Sequence, residues 1–306
     1  MSLISRTLGA AVFSAMSLAA SAQYSIVSWG SNISGQQNLP SPNSGFVAVA
    51  GGGGHSMALK SNGTVIAWGL NAQGQCNVPK RLSGVVRVEA GNLHSLALKS
   101  NGSLAAWGWN AFGQSNLPKP NSNFVAIAAG REHSVAVRSN GVILAWGRNN
   151  YGQLNVPPPN SGFIDVSANF DHNLGLRADG SIVAWGRNDF GQCNVPFPNS
   201  NFVAVATGGF HEGFSMGLKD DGSIVVWGSN NYGQWAVPGF NGGFVAIAAG
   251  SAHCMALRSD GTVLCWGAGF TNTGVFPEFG QSLVPEPNAG FVTIAAGNNH
   301  SLALRP

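Results

Sequence analysis

The sequence predicts an all-β protein: a seven-bladed β-propeller of four-stranded blades, whose last blade is closed by the N-terminal strand. Two observations predict this fold. The dipeptide Trp-Gly recurs seven times, at intervals of 39 residues with one interval of 42, and short apolar runs separated by turn residues fill each interval. A period of about 40 residues built from short strands is typical of a propeller blade. The repeated tryptophans are Trp29, Trp68, Trp107, Trp146, Trp185, Trp227 and Trp266.

The strands of one repeat follow in order. A first apolar run, as at residues 124–128, precedes a second run at residues 134–138, and an Asn-Gly or Asp-Gly turn then leads into a third strand that ends at Trp-Gly. A two-residue turn at Asn62 and Gly63 would place Met57 opposite Trp68, and the same count would pair each later tryptophan with an aliphatic residue or methionine. The motif Gly-Gln-x-Asn-Val-Pro predicts a short fourth strand at the outer edge, since proline cannot donate a ladder hydrogen bond.

The two ends of the chain complement each other. Trp29 has no preceding partner strand, whereas the last copy, residues 291–304, ends without a tryptophan. We therefore expect residues 25–29 to complete the final blade beside residues 300–304. Such pairing would close the ring and leave no unpaired inner edge.

The first 22 residues predict a signal peptide. Arg6 precedes an apolar run over residues 8–20, and Ala20 and Ala22 favour cleavage before Gln23. The predicted propeller then spans residues 23–306, as a secreted or periplasmic monomer without a membrane span. A formal net charge of +3 with scattered signs argues against a nucleic-acid partner.

Four cysteines raise the question of disulfides in an exported protein. Cys76 and Cys193 occupy one repeat position three repeats apart, which argues against their pairing. Cys254 and Cys265 would lie diagonally on one hairpin, where a bridge would be strained. Buried free thiols are the favoured interpretation, and a Cys254–Cys265 bridge is the alternative.

Two rings of polar residues recur in register. The histidines each stand nine residues after an apolar strand start, and they are His55, His94, His133, His172, His211, His253 and His300. Hydrogen bonding to loop backbone is favoured over a metal ring or a partner contact, because no recurrent co-ligand accompanies them. A glycine at six copies of a loop position, Gly52 for example, and Asn169 at the seventh predict a left-handed backbone. The basic ring comprises Lys60, Lys99, Arg138, Arg177, Lys219, Arg258 and Arg305, and a rim that covers apolar surface is favoured over an anion-binding collar.

The recurrent motifs read Ala-Gly-x-x-His-Ser-x-Ala-Leu-Lys and Ala-Trp-Gly-x-Asn-x-x-Gly-Gln-x-Asn-Val-Pro. With them, residues 24–306 resemble the regulator of chromosome condensation repeat family. The short repeat and the predicted export look especially like the bacterial propeller-type β-lactamase inhibitory members. The resemblance implies a seven-bladed propeller that acts by binding proteins, but export conflicts with nucleotide exchange on an intracellular GTPase. Fold does not fix a particular partner.

Positions that vary between repeats are free to recognise a partner. They lie in two loops predicted to share one face: the loop before the histidine and the loop between Trp-Gly and Gly-Gln. Aromatic and arginine side chains are enriched at binding hot spots, and the candidate binding residues are Trp109, Phe112, Arg131, Arg148, Tyr151, Phe170, Asp171, Arg187, Phe190, Phe210 and Tyr232. For Phe112, Tyr151, Phe190 and Tyr232, simple packing over the Gly-Gln turn is an equal alternative. A three-residue insertion after His211 and an expansion over residues 268–286 enlarge these loops.

These features predict an exported, non-enzymatic propeller that binds an unknown protein through this face. The alternatives are a glycan-binding propeller and, less favoured, a hydrolase with a site at the channel mouth. No catalytic residue, metal site or cofactor is predicted, since the sequence contains no cluster of metal-ligating residues and its 12 carboxylates show no recurrent pairing.

Overall fold

The computed structural model describes residues 24–306, and the predicted signal peptide over residues 1–22 lies outside them. The described residues form only β-strands, turns and loops. The strands, in chain order, are β1 (Ser25–Gly30), β2 (Phe46–Gly51), β3 (His55–Lys60), β4 (Val65–Gly69), β5 (Val85–Ala90), β6 (His94–Lys99), β7 (Leu104–Gly108), β8 (Phe124–Ala129), β9 (His133–Arg138), β10 (Ile143–Gly147), β11 (Phe163–Asn169), β12 (His172–Arg177), β13 (Ile182–Gly186), β14 (Phe202–Gly208), β15 (Phe214–Lys219), β16 (Ile224–Gly228), β17 (Phe244–Ala249), β18 (His253–Arg258), β19 (Val263–Gly267), β20 (Asn272–Val275), β21 (Glu278–Phe279), β22 (Thr293–Ala296) and β23 (His300–Arg305). Residues 24–306 include no helix long and apolar enough to cross a bilayer.

Over residues 24–306 the strands make seven three-stranded antiparallel sheets and one two-stranded hairpin, β20–β21. We number the sheets in chain order: sheet 1 is β2–β3–β4, sheet 2 is β5–β6–β7, sheet 3 is β8–β9–β10, sheet 4 is β11–β12–β13, sheet 5 is β14–β15–β16, sheet 6 is β17–β18–β19 and sheet 7 is β22–β23–β1. The first strand of each sheet contacts the first strand of the next, and β22 contacts β2. The first strands therefore surround a central channel.

Sheet 7 is built from both ends of the described chain, as predicted. Strand β1 pairs antiparallel with β23, and Ser28 lies opposite Leu302. Trp29 is buried against sheet 6 and donates a 2.8 Å hydrogen bond from Nε1 to the carbonyl of Gln281. The expected closure by the N-terminal strand is confirmed.

The predicted pairing of tryptophan with an aliphatic residue inside each sheet is wrong by one residue. Lys60 accepts a hydrogen bond from Gly63 N and donates to the carbonyl of Thr64, so the loop contains three residues, and Gly63 has φ +80°. A three-residue hairpin loop with glycine in the left-handed region shifts the register relative to a two-residue turn. Trp68 therefore faces Ser56, and Met57 faces Ala67.

The aliphatic partner of each tryptophan comes instead from the preceding sheet. Met57 and Leu59 of sheet 1 pack with Trp107 of sheet 2, and Val135 of sheet 3 packs with Trp185 of sheet 4. The bulky side chains thus fill the spaces between sheets. Burial of apolar area between sheets, at about 25 cal/mol per Å², is what holds the ring together.

The predicted fourth strand is a hydrogen-bonded turn and not a strand. An asparagine further along takes over its role at the outer edge: Asn121 Oδ1 accepts from Leu104 N, and Asn121 Nδ2 donates to Leu104 O. The same amide pairing occurs in sheets 3 to 7, through Asn160, Asn199, Asn241, Asn288 and Asn43. One amide satisfies the backbone groups that an extra strand would have covered.

Six histidines form a ring between the sheets. The Nε2 atom of His94 lies 2.9 Å from Ser134 Oγ on the next sheet, and Ser134 Oγ donates to the carbonyl of Gln114. Because the serine proton is used, His94 must donate, which fixes the neutral tautomer with the proton on Nε2. Equivalent links join His55 to Ser95, His133 to Asn173, His172 to Ser215, His253 to Ser301 and His300 to Ser56. The histidines therefore bond to side chains of the next sheet, and not to loop backbone as the sequence suggested.

His211 does not belong to this ring, so the predicted set of seven is wrong. Phe214 takes the ring position in sheet 5, opposite Gly228, and His211 is exposed in the preceding loop. Where the next sheet would offer a serine, it carries Cys254, which packs with Phe214 in one apolar cluster. An apolar pair thus replaces one polar link, which avoids leaving a buried hydroxyl beside a phenyl ring.

The glycine that precedes five of the six ring histidines is explained by space and not by a left-handed backbone, and Asn169 takes its position before His172. Positive φ angles occur elsewhere among the described glycines, but not at Gly52, Gly91, Gly130, Gly208, Gly250 or Gly297. A Cβ atom on Gly130 would lie 2.1 Å from His133 Cε1. Glycine, which lacks a Cβ atom, therefore leaves room for the imidazole ring of the histidine.

We expect Gly130→Ala to lower the free energy of unfolding by about 1–3 kcal/mol, the usual cost of overpacking a core. Gly54→Ala is the matched control, because its Cβ would be 3.3 Å from the nearest side-chain atom and other repeats carry larger residues there. Urea unfolding at neutral pH measures both changes. Equal stability of the two variants would contradict this explanation of the glycine.

The residues of the basic ring end the second strands, at the end of the molecule opposite to the histidines, and cover aromatic residues there. Arg138 lies 5.3 Å from the Phe124 ring centroid and donates to the carbonyl of Pro120, and Arg177 lies 5.0 Å from that of Phe163. Lys60, Lys219, Arg258 and Arg305 stack in the same way. These contacts agree with a covering rim. All four cysteines are free thiols, as favoured, but only Cys254 and Cys265 are buried, whereas Cys76 and Cys193 are half-buried.

Candidate functional site

One end of the ring, which we call the His face, carries the loops before the histidine positions and the loops that follow Trp-Gly. The first loop ends where the second strand starts, and the second loop begins where the third strand ends. These two strand ends pair, as His55 does with Gly69. All eleven candidate residues belong to these two loop types. The prediction that the two variable loops share one face therefore agrees with the register of the sheets.

Backbone hydrogen bonds tie the inner loops of this face into a ring. Gly53 N donates to Gly91 O, and Asn92 N donates to Gly130 O, at 3.2 and 3.3 Å. Similar bonds join the following sheets, but between sheets 4 and 5 a side chain takes over: Asn169 Nδ2 donates to Thr207 O. The loops are thus fixed to one another, and side chains mounted on them are positioned before a partner binds.

The channel under this ring contains a paired cluster of charges. Arg87 of β5 reaches Asp165 of β11 at 3.1 Å and Glu89 at 3.0 Å, within a cavity of about 210 Å³. Burial opposes the charge of Arg87, but Asp165 and Glu89 outweigh it and raise the pKa of the guanidinium. Burial raises the pKa of Glu89, against the influence of Arg87. Arg87, Glu89 and Asp165 thus pair with one another and join sheet 2 to sheet 4. Carboxylates paired in this way give little support to a hydrolase mechanism.

Arginines stack on aromatic rings along one side of the His face. Arg148 lies 5.2 Å from the Phe112 ring centroid, and Phe112 meets Trp109 edge to face at 5.5 Å. On the next loop, Arg187 lies 4.8 Å from the Tyr151 ring centroid. We call these five residues the stacked rim. Each arginine loses little conformational freedom on binding because an aromatic ring already holds it.

Glu132 connects the stacked rim to the centre of the face. Its carboxylate accepts a short hydrogen bond from Arg148 and lies 3.4 Å from Arg131 Nε. The hydrogen bond to Glu132 is the main cause of a raised pKa for Arg148. Arg131 in turn lies 4.4 Å from the Phe170 ring centroid. Glu132 thus joins five predicted residues in one continuous series of contacts: Trp109, Phe112, Arg148, Arg131 and Phe170.

Phe170 leads into a second group, which we call the aromatic cluster: Phe170, Phe210, His211, Tyr232 and Phe276. Ring centroids are separated by 4.8 Å for Phe170 and Phe210, 4.5 Å for Phe210 and His211, and 6.0 Å for Tyr232 and Phe276. Phe276 comes from the β20–β21 hairpin. The cluster therefore draws on loops of sheets 4 and 5 and on the hairpin that follows sheet 6.

The candidate residues differ in exposure. Phe112, Tyr151, Phe190 and Phe210 are between 39% and 43% exposed, but Phe170 and Asp171 are only 5% and 3% exposed. Asp171 Oδ1 accepts from Gln153 Nε2 at 3.3 Å, and burial raises the pKa of this carboxyl against three nearby arginines. Phe170 and Asp171 are therefore buried packing residues beneath the surface of the His face, whereas the exposed aromatic residues are available to a partner.

Three participants stand outside the eleven candidate residues: Glu132, His211 and Phe276. Aligning sheet 5 by Ser215, Leu218 and Lys219 would have placed Phe214 in the ring and His211 in the loop, because these residues match the Ser-x-x-Leu-Lys pattern of other repeats. No repeat pattern predicts the position of Phe276, since its segment has no counterpart in other copies. Residues 24–306 contain no group of three or more histidine, cysteine or carboxylate side chains placed to hold a metal ion.

Comparison with known proteins identifies the family. The model of the regulator of chromosome condensation (RCC1) repeat matches residues 46–75, 85–114, 124–153, 163–192, 202–234 and 244–272, together more than half of the chain. The chain belongs to the RCC1 repeat family. Curated protein sequences give no significant match. The fold is an RCC1-like propeller.

Solved structures show the same fold at low sequence identity. Prp20p from Saccharomyces cerevisiae, described with its binding to Gsp1p and histones, is 21% identical with a TM-score of 0.72, over 93% of this chain and 92% of that one. Human WBSCR16 is 19% identical with a TM-score of 0.71, over 92% and 98%. The ectodomain of the Physcomitrella patens receptor kinase CR4 is 22% identical with a TM-score of 0.64, over 83% and 69%.

Proposed function

We propose that this RCC1-repeat protein is a non-enzymatic, exported propeller that binds another protein through the His face. The observation that carries this proposal is the series of contacts from the stacked rim to the aromatic cluster. Side chains that differ between repeats meet there, on loops fixed to a rigid ring. Preformed aromatic and arginine surfaces favour binding because few side chains must be ordered.

The family supports protein binding as the general role, since Prp20p is described by its binding to Gsp1p and histones. We propose export to the periplasm or the medium from the signal-peptide pattern of residues 1–22, which stands outside the described residues. We further propose that the seven sheets act as seven blades and that the protein is a monomer. Inhibition of a β-lactamase is one candidate activity within this proposal, by resemblance alone.

Alanine substitution in the stacked rim tests the binding face. We expect Trp109→Ala, Arg148→Ala and Tyr151→Ala each to weaken binding of a captured protein partner about tenfold or more, as is usual for aromatic and arginine anchors. The partner is first captured with the mature wild-type protein, and affinities are then measured by calorimetry.

Phe197→Ala is the matched control, because Phe197 is 97% exposed and lies in a segment between sheets 4 and 5, away from the loops of the His face. Its affinity for the partner should equal that of the wild type. If the three rim variants and Phe210→Ala all bind the partner unchanged, the partner uses another surface and the proposal is wrong.

Glycan binding is the second candidate, and one observation favours it. Phe112, Tyr151 and Phe190 stand one per repeat, each about two-fifths exposed, which suits weak, repeated sugar sites. However, Arg148 and Arg187 cover one face of the first two rings and leave less area for stacking a sugar. A glycan array distinguishes this candidate from protein binding.

A further inference from the structure

The two places where the chain departs most from its own repeat meet in space. One is the enlarged loop before Phe214, and the other is the hairpin β20–β21, more than 60 residues later. The ring centroids of Phe210 and Phe276 are 6.2 Å apart, so the loop and the hairpin touch through their aromatic side chains. The aromatic cluster is therefore the point of the His face that the repeat itself does not build.

The enlarged loop is accommodated in the fold without loss of packing. It displaces His211 to the surface, and Phe214 and Cys254 replace the polar link between sheets 5 and 6 with apolar contact. A backbone hydrogen bond keeps the loop close to sheet 5: Ser229 N donates to the carbonyl of Gly213 at 2.9 Å. The loop that carries Phe210 is thus fixed to the sheet.

The side chains of the cluster differ in exposure. Phe170 is almost fully buried, whereas Phe210 and Phe276 are 40% and 42% exposed. Tyr232 contacts Phe276 edge to face at 6.0 Å, and His211 contacts Phe210 in the same way at 4.5 Å. Arg131 is stacked on Phe170.

Three charged side chains beside the aromatic cluster are engaged within the protein. Glu212 accepts from Asn231 Nδ2 at 2.5 Å, and Glu278 accepts from the backbone and hydroxyl of Thr271 at 2.9 and 2.8 Å. Arg131 is paired with Glu132. A charged ligand group would have to break one of these contacts, whereas an apolar group would only displace water from aromatic surface.

We propose that the aromatic cluster is a docking pocket for one large, uncharged side chain, aliphatic or aromatic, carried by an exposed segment of a partner protein. This inference rests on the proposed function and locates its anchor. Such a side chain, buried against several aromatic rings, is the usual form of a binding hot spot. The stacked rim then contacts the residues that flank the anchor.

Random twelve-residue peptides displayed on phage, selected on the whole mature protein, provide the probe. We expect the enriched peptides to share one leucine, isoleucine, methionine, phenylalanine or tryptophan without enrichment of charge. Their binding should be insensitive to salt and should weaken at least tenfold with Phe210→Ala and with Phe276→Ala. These two residues lie on separate segments and are partly exposed, so the variants are two independent tests in folded protein.

Phe240→Ala is the matched control, since Phe240 is 80% exposed and lies outside the cluster. Peptides that require a charged residue, peptides that bind both cluster variants unchanged, or a selection that enriches no peptide would each overturn the inference. Peptides lost on Tyr151→Ala but kept on Phe210→Ala would overturn it while leaving binding through the His face intact. Failure of the proposed function itself is seen separately, when a captured protein partner ignores both groups of variants.

Discussion

Deletion of residues 24–30 is expected to remove most of the stability of the ring. It takes away a whole strand of sheet 7, with Ile26 and Trp29, which are 2% and 5% exposed. Truncating buried residues of this size costs about 2–5 kcal/mol each, and the loss of both corresponds to a fall in melting temperature of about 7–17 °C for a chain of this length. Thermal unfolding followed by circular dichroism measures the shift.

The deletion also exposes the edge of β23, whose pairing with β1 is otherwise complete. Unpaired edges promote association between chains, so we expect aggregation above the transition. A shorter chain that begins at residue 24 is the control for length. A deletion variant as heat-resistant as this control would refute closure through β1.

A point substitution separates packing from chain length. Trp29→Ala is expected to cost about 3–5 kcal/mol, because it also leaves the Gln281 carbonyl without its indole donor. Trp235→Ala is the matched control at a tryptophan that is 53% exposed, where a change within about 0.5 kcal/mol is usual.

The histidine ring predicts a steep loss of stability in mild acid. Burial lowers the pKa of His55 and His133 to about 4 and the pKa of His94, His172, His253 and His300 to about 3. Below the usual histidine pKa of about 6.5, the unfolded chain takes up protons that the folded protein refuses. Stability is therefore complete above about pH 6.5 and is lost as the pH falls toward 4.

Across this range each buried histidine changes the free energy of unfolding by about 1.4 kcal/mol per pH unit, so six histidines can change it by about 8 kcal/mol per unit. Total stabilities are typically about 5–15 kcal/mol, and we therefore expect acid unfolding between about pH 5 and 6. Glu89 and Asp171 act in the opposite direction, because burial raises their pKa values, but they are only two groups. Urea unfolding at pH 7.0, 6.5, 6.0 and 5.5 measures the slope.

The protein supplies its own control for this effect. Phe214 and Cys254 show that an apolar pair can replace a histidine link. The double variant His94→Phe with Ser134→Cys copies that pair and should lower the slope by about 1.4 kcal/mol per pH unit. An unchanged slope in this variant would show that the histidines are not the groups that titrate.

The fold was readable from the sequence wherever local chemistry repeats. The Trp-Gly spacing and the asparagine–glycine turns place each hairpin, and the missing tryptophan of the last copy indicated that Trp29 completes it. Register was not readable, because a two-residue and a three-residue loop share the same Asn-Gly letters and differ only in the backbone at Gly63. The prediction of a fourth strand was wrong for a related reason: an asparagine side chain satisfies the backbone N–H and C=O at the sheet edge as well as a strand does.

The sequence by itself determined the repeating sheets, the closure by the N-terminal strand and the face on which the variable loops lie. Only the tertiary structure decided that Phe210 and Phe276 meet, that His211 leaves the ring and that Glu132 links Arg148 to Arg131. The physical reason is the range of the interactions. Periodic packing repeats the same short-range contacts in every copy, whereas contacts between irregular loops depend on where the closed ring places segments that are distant in the chain.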